Sequence, residues 1–133
     1  MAVISITRLH VRSWRFLPDL VLHSARITRQ TRVAPGNLGM ETLRESGMTF
    51  WIKSAWRDEA SLSAFRNASA WKALMQQLER LCDEAATLQW EQETPRMPFW
   101  EDIGRRMQRE GQLIPVKHPS EAQGAGRIPP MKG

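Results

Sequence analysis

The sequence holds one cysteine, Cys82, in 133 residues. A single thiol excludes an intramolecular disulfide and any zinc site built on cysteines. Histidine is scarce too, with His10, His23 and His118 only. None of them stands at the spacing of a metal-ligand pair, which argues against a metal site. No apolar run approaches the roughly 20 residues that span a bilayer, so no membrane role is expected. Met1 to Leu9 lacks the basic region and cleavage site of a secretory signal, which makes a cytoplasmic location the expectation. Gly36 and Gly39 do not form a phosphate loop, and neither a nucleophile elbow nor a Walker pattern occurs.

What is present describes an ordinary globular chain. The apolar fraction is 41% and the charged fraction 25%. A chain of this length reads as one domain with a core of its own. The net charge of +5 is uneven. Residues 1–36 carry six arginines (Arg8, Arg12, Arg15, Arg26, Arg29 and Arg32) against Asp19, while residues 37–111 carry ten bases and twelve acids. The early excess suggests either an anion-binding face or a solvated helix side. A nucleic-acid role is not favoured, because no aromatic or recognition-helix pattern accompanies the arginines.

Periodicity predicts the elements. Ala2 to Val11 is a short β-branched strand. Pro18 opens a helix on which Leu17, Leu20, Val21, Ser24, Ile27, Thr28 and Thr31 share a face, and Pro35-Gly36 ends it. A hairpin follows, with strands over 37–45 and 48–56 and Ser46-Gly47 as the turn. Phe50, Ile52, Ser54 and Trp56 lie on one face of the second strand, and Thr49, Trp51, Lys53 and Ala55 on the other. Asp58-Glu59 begin a helix to about Arg66. Ser69 caps another to about Cys82, and a last strand covers 86–92. Pro95 to Pro98 form a linker to an amphipathic helix over 99–110. From Gln112 the chain has no periodicity, so 112–133 reads as a disordered tail and 1–111 as a single domain. Removing the tail is expected to leave the fold intact.

The order β-α-β-β-α-α-β gives an α+β fold, a ferredoxin-like split βαβ with a four-stranded antiparallel sheet and helices on one face. The bare face, carrying Trp51 or Trp56, must be buried. A second copy would bury it, so a homodimer is expected.

The segment Thr49-Phe-Trp-Ile-Lys-Ser-Ala-Trp-Arg-Asp-Glu-Ala-Ser-Leu-Ser-Ala-Phe-Arg-Asn-Ala-Ser-Ala-Trp-Lys-Ala-Leu-Met resembles the core of the dimeric α+β barrel superfamily, which includes the antibiotic-biosynthesis monooxygenase-like domains. The chain is more similar still to a bacterial family of unknown function in that superfamily, through Arg12-Ser-Trp-Arg-Phe-Leu, Ala34-Pro-Gly-Asn-Leu-Gly, Cys82-Asp-Glu-Ala and Lys117-His-Pro-Ser. A weaker similarity runs to spheroidene monooxygenase, through Trp14, Arg26, Pro35-Gly36 and Ala55-Trp56. Haem-degrading members of the superfamily use an Asn, a Trp and an axial His where this sequence holds Thr7, Phe65 and Met75. That departure argues against haem degradation, and Met75 reads as core packing.

Six tryptophans, Trp14, Trp51, Trp56, Trp71, Trp90 and Trp100, are many for this length. They fill a core and an interface, or else Trp56, Trp71 and Trp90 line a pocket for a flat apolar molecule. The resemblance implies that such a molecule could be oxidised without a cofactor. The candidate pocket residues are Trp56, Ser54, Trp71, His23 and Arg26. The rings would hold the ligand, while His23 and Arg26 would polarise an oxygen. The alternative is a non-catalytic binding or scaffold homodimer. Cys82, beside Asp83 and Glu84, reads as structural.

Overall fold

The structure, a computed structural model, describes residues 1–45 and 47–131. Strand β1, Ala2–Val11, is the spine of the fold. It pairs antiparallel with β3, Thr49–Trp56, on one side and with β4, Cys82–Gln92, on the other. Strand β2, Asn37–Glu45, flanks β3, and a two-residue strand β5, Gln112–Leu113, flanks β4. Among the described residues the antiparallel sheet therefore has five strands, not four, in the order β2-β3-β1-β4-β5.

Alternation along β1 sorts the sheet into two faces. Val3, Ser5, Thr7 and Leu9 share one with Trp56, Ser54, Ile52 and Phe50, which are their partners across the ladder. Helices α1, Leu17–Val33, α2, Glu59–Arg66, and α3, Ser69–Leu81, cover this face. A 3-10 turn over Trp14–Phe16 leads into α1, which Pro18 starts as the sequence implies. Asp58 caps α2 by accepting a hydrogen bond from the Ser61 amide at 2.8 Å. Between α1 and β2, Gly36 takes a φ of +83°, and a Cβ there would meet Ser61 Oγ at 2.2 Å. Only glycine meets both demands.

The second face differs from the expectation. Ile4 and Ile6 point into it with Trp51, Ala55, Ala86 and Leu88. Helix α4, Trp100–Glu110, lies across it and buries Ile103 and Met107 completely. Helices thus cover both faces. Trp51 and Trp56, on opposite faces, are 1% and 0% exposed. The bare sheet face behind the expected homodimer is occupied by this chain's own α4.

The segment from Gln112, expected to be disordered, packs onto β4. The Ile114 amide donates to Ala85 O at 2.8 Å, and the Ser120 amide to Asp83 O at 3.0 Å. A single helical turn, α5, Glu121–Gly124, brings in Gln123. Its side chain accepts from the Ala85 amide and donates to Ile114 O. Beyond it, Ile128 and Met131 pack against the second-face cluster, with Met131 tight against Gly104 of α4. These polar contacts to backbone leave no periodic trace, so composition alone reads the segment as loose.

The junction of α3 and β4 also moves. Strand β4 begins at Cys82 rather than at 86, so Cys82 opens a strand instead of closing a helix. Ser46, the first residue of the expected turn, lies outside the described residues. Gly47 takes a φ of +78°, which suits a tight connection.

Candidate functional site

The first sheet face and its helices enclose a small chamber. Its walls are Ser5 and Thr7 from β1, Ile52 and Ser54 from β3, Ile27 and Thr31 from α1, Leu62, Phe65 and Arg66 from α2, and Trp71 from α3. The strand hydroxyls are there because β1 and β3 pair Ser5 with Ser54 and Thr7 with Ile52, all facing the helices. Its open volume, about 10 Å³, has room for one water. Four hydroxyls and two aromatic side chains thus meet in one place.

Hydrogen bonds fix these groups. Trp56 Nε1 donates to Ser54 Oγ at 2.8 Å, and Thr31 Oγ1 donates to Ile27 O at 2.7 Å. Arg66 Nη2 donates to Ser5 Oγ at 3.1 Å. The Phe65 ring stands between Trp56 and Trp71, at centroid distances of 5.0 and 6.0 Å.

Phe65 also faces outward. On its other side runs a groove of about 440 Å³ between the end of α1 and α2. Val33, Ala34, Pro35, Ala60, Ala64 and Ala68 make it mostly apolar, with Gln30, Arg57, Asp58 and Ser61 among its polar groups. One ring therefore separates a groove of ligand size from the hydroxyl-lined chamber.

The sequence-derived candidates divide. Ser54 and Trp71 line the chamber, and Trp56 braces it through Ser54 and Phe65. His23 and Arg26 do not line it. Arg26 is exposed on α1. Burial lowers the His23 pKa from its ordinary value, and Arg26 lowers it further, which favours the neutral imidazole. Trp90 lies on the opposite sheet face, with the Arg106 guanidinium 4.0 Å from its ring centroid. Thr7 and Phe65, which the sequence marks only as departures from the haem-degrading pattern, do line the chamber, while Met75 packs beside the core. Arg66 and Ser5 escape sequence reading, because a helix-end arginine and a strand serine have no distinctive spacing.

The basic early segment is not one surface. Arg8 is buried on the second face, where Nη1 donates to Glu84 Oε1 at 2.8 Å. Arg12 donates to Arg80 O and stacks on Phe16. Arg26, Arg29 and Arg32 remain as the exposed stripe on α1. Among the described residues, no group of three or more His, Cys, Asp or Glu could hold a metal ion, and no helix is long and apolar enough to cross a membrane.

Cys82 is inert in this setting. Burial pushes its thiol pKa up to about 12, and Asp83 adds to the shift. Iodoacetamide is expected to leave the native thiol untouched and to alkylate it once denaturant unfolds the chain. Mass spectrometry of the two samples checks this, and rapid native labelling would contradict it.

The fold is an α+β domain whose antiparallel sheet carries helices on both faces. Residues 17–77 match the family model described as antibiotic biosynthesis monooxygenase. That stretch spans α1 through most of α3 and includes most of the chamber wall. Among solved structures, Rv0793 from Mycobacterium tuberculosis superposes with a TM-score of 0.64 at 16% identity, covering 71% of this chain and 97% of that one. NE2512 from Nitrosomonas europaea, a protein of unknown function, gives a TM-score of 0.61 at 20% identity and covers 74% and 95%. A point mutant of SnoaB, a cofactor-independent oxygenase from Streptomyces nogalater, gives 0.58 at 15% identity and covers 70% and 94%. No curated protein matches the chain. About seven-tenths of the chain therefore shares the fold of these proteins.

Proposed function

We propose that the chain binds a planar apolar or aromatic molecule and oxidises it with molecular oxygen, with no metal or organic cofactor taking part. The observation that carries this reading is the pairing of an apolar groove with a hydroxyl-lined chamber behind Phe65. The groove suits flat rings, and the hydroxyls suit a carbonyl or phenol oxygen at one end of them. Among the described residues, no carboxylate or imidazole lines the chamber. A substrate for such a site has to supply its own acidity and its own electrons. A ring methylene beside a carbonyl meets both needs. It loses two hydrogens and gains one oxygen atom from O₂ to become a ketone, and the second oxygen atom leaves as water with those hydrogens. The site's part is to exclude water and to orient the rings.

Anthrone is a suitable probe, since it has such a methylene between two aromatic rings. Tryptophan quenching is expected to report its binding, and oxygen uptake should match anthraquinone formation one to one. Phe65→Leu narrows the barrier between groove and chamber without emptying the core. It is expected to speed ligand entry several-fold, as easing a lid does. Absence of both quenching and oxygen uptake in the two proteins would sink the reading.

The second reading is a non-catalytic binding or scaffold homodimer. Support for its non-catalytic part comes from the same lack of an acid–base pair, together with a chamber sized for one water. Quenching by anthrone without oxygen uptake, at a native mass twice the chain's 15.3 kDa, would favour it.

A further inference from the structure

We propose that Arg66 is an anion anchor, holding the carboxylate, enolate or phenolate oxygen of an aromatic ligand where the chamber meets the edge of the sheet. This deepens the ligand-binding reading above and rests on it.

Arg66 sits at the last turn of α2 and lines two cavities at once. One is the chamber. The other, of about 300 Å³, opens beside β4 and is lined also by Thr87, Gln89 and Gln112. Arg66 is half-buried, and its two hydrogen bonds go to neutral acceptors, Ser5 Oγ at 3.1 Å and Gln89 Oε1 at 3.0 Å. Among the described residues no carboxylate stands within 4 Å of its guanidinium, unlike Arg8, which meets Glu84 at 2.8 Å. Glu59, two turns back on α2, acts on it only at a distance. Glu110 also borders the edge cavity, but its carboxylate is held by Arg106 Nε at 3.0 Å.

A desolvated guanidinium facing only neutral oxygens pays for burial without a counter-charge. Burial accordingly lowers its pKa, yet arginine keeps its proton at neutral pH. Ser5 and Gln89 use two of its five N–H donors, so its planar fork keeps donors for an anion. Both bonds tie α2 to the sheet, through β1 and β4, which fixes the fork before a ligand arrives. A ligand anion placed there would gain charge-assisted hydrogen bonds in a partly dry site.

The test uses two near-isosteric probes, 2-naphthoate and 2-naphthamide, titrated calorimetrically into the full chain. The wild type is expected to bind the naphthoate about tenfold more tightly, the scale of one charge-assisted hydrogen bond. Arg66→Met should bind both probes alike. Arg66→Lys, which keeps the charge but not the fork, should retain part of the preference and decides the matter if Arg66→Met does not fold. Equal affinities in the wild type, or a preference that survives Arg66→Met, would overturn the anion anchor and leave the aromatic pocket standing. No binding of either probe would overturn both.

Discussion

Deletion of residues 112–133 is expected to lower the melting temperature by roughly 10 °C, which corresponds to about 2–3 kcal/mol for a chain of this size. The deletion removes β5 and with it the cover over the β4 edge. It strips Gln123 from the Ala85 amide and Ser120 from the Glu84 carboxylate. It also uncovers part of the second-face cluster, where Leu113, Ile128 and Met131 pack near Ile103 and Met107. The net loss is smaller than the lost burial suggests, because the freed segment regains its conformational entropy. The exposed apolar surface should also raise binding of a hydrophobic dye. Differential scanning calorimetry and dye fluorescence check both expectations. An unchanged melting temperature would show that the segment contributes nothing, as its composition suggests.

Replacing Glu84 by alanine is expected to cost about 3–5 kcal/mol, the range for removing one partner of a buried ion pair. Glu84 is 8% exposed and Arg8 4%. Glu84 Oε1 accepts from Arg8 and Oε2 from Ser120 at 2.6 Å, while Arg8 Nε is buried with no hydrogen-bond partner among the described residues. Removing the carboxylate strands a buried guanidinium beside the Trp51 ring. Replacing both partners, as Arg8→Met with Glu84→Leu, should recover most of the loss. The pair also gives the fold an acid limb. Burial pushes the Glu84 pKa up, but the hydrogen bonds from Ser120 and Arg8, with the charges of Arg8 and His10, bring it below its ordinary 4.5. Its stabilisation is therefore complete above about pH 4.5 and is lost as pH falls through the lower folded value. Urea midpoints measured against pH should show this slope in the wild type and a shallower one in Glu84→Gln. Equal slopes would remove Glu84 from the account.

Much of the fold is legible because it is local. The alternation in β1 and β3, the acidic helix start at Asp58-Glu59 and the Pro35-Gly36 break are properties of a few adjacent residues, and each maps onto an observed boundary. The amphipathic pattern of α4 is legible too, and Trp100, Ile103 and Met107 do face inward. Which surface they cover is not legible, since that depends on a face assembled from three strands. An open face and a second copy then look like the natural solution, although the chain itself supplies the cover. The order of the C-terminal segment is hidden for the same reason, because Ser120 and Gln123 matter only once β4 is beside them. In the site, Ser54, Trp56 and Trp71 are readable as polar or aromatic residues near one sheet face. Ser5 and Arg66 are not, because a pocket wall made from a strand and a helix end has no periodicity of its own.

The central place of β1 has a consequence for how the chain folds. Val3 is paired with Trp56 on one side and with Glu91 on the other, so both ladders close loops tens of residues long. Non-local pairing of this kind slows folding relative to helical domains of the same size. During synthesis an apolar β-branched segment emerges long before β3 and β4 can shield it. Until then its edges are open to other nascent chains, which makes this early segment the point where aggregation would compete with folding. Helix α4 follows β4 in sequence, so the second face is sealed only after the four long strands are made.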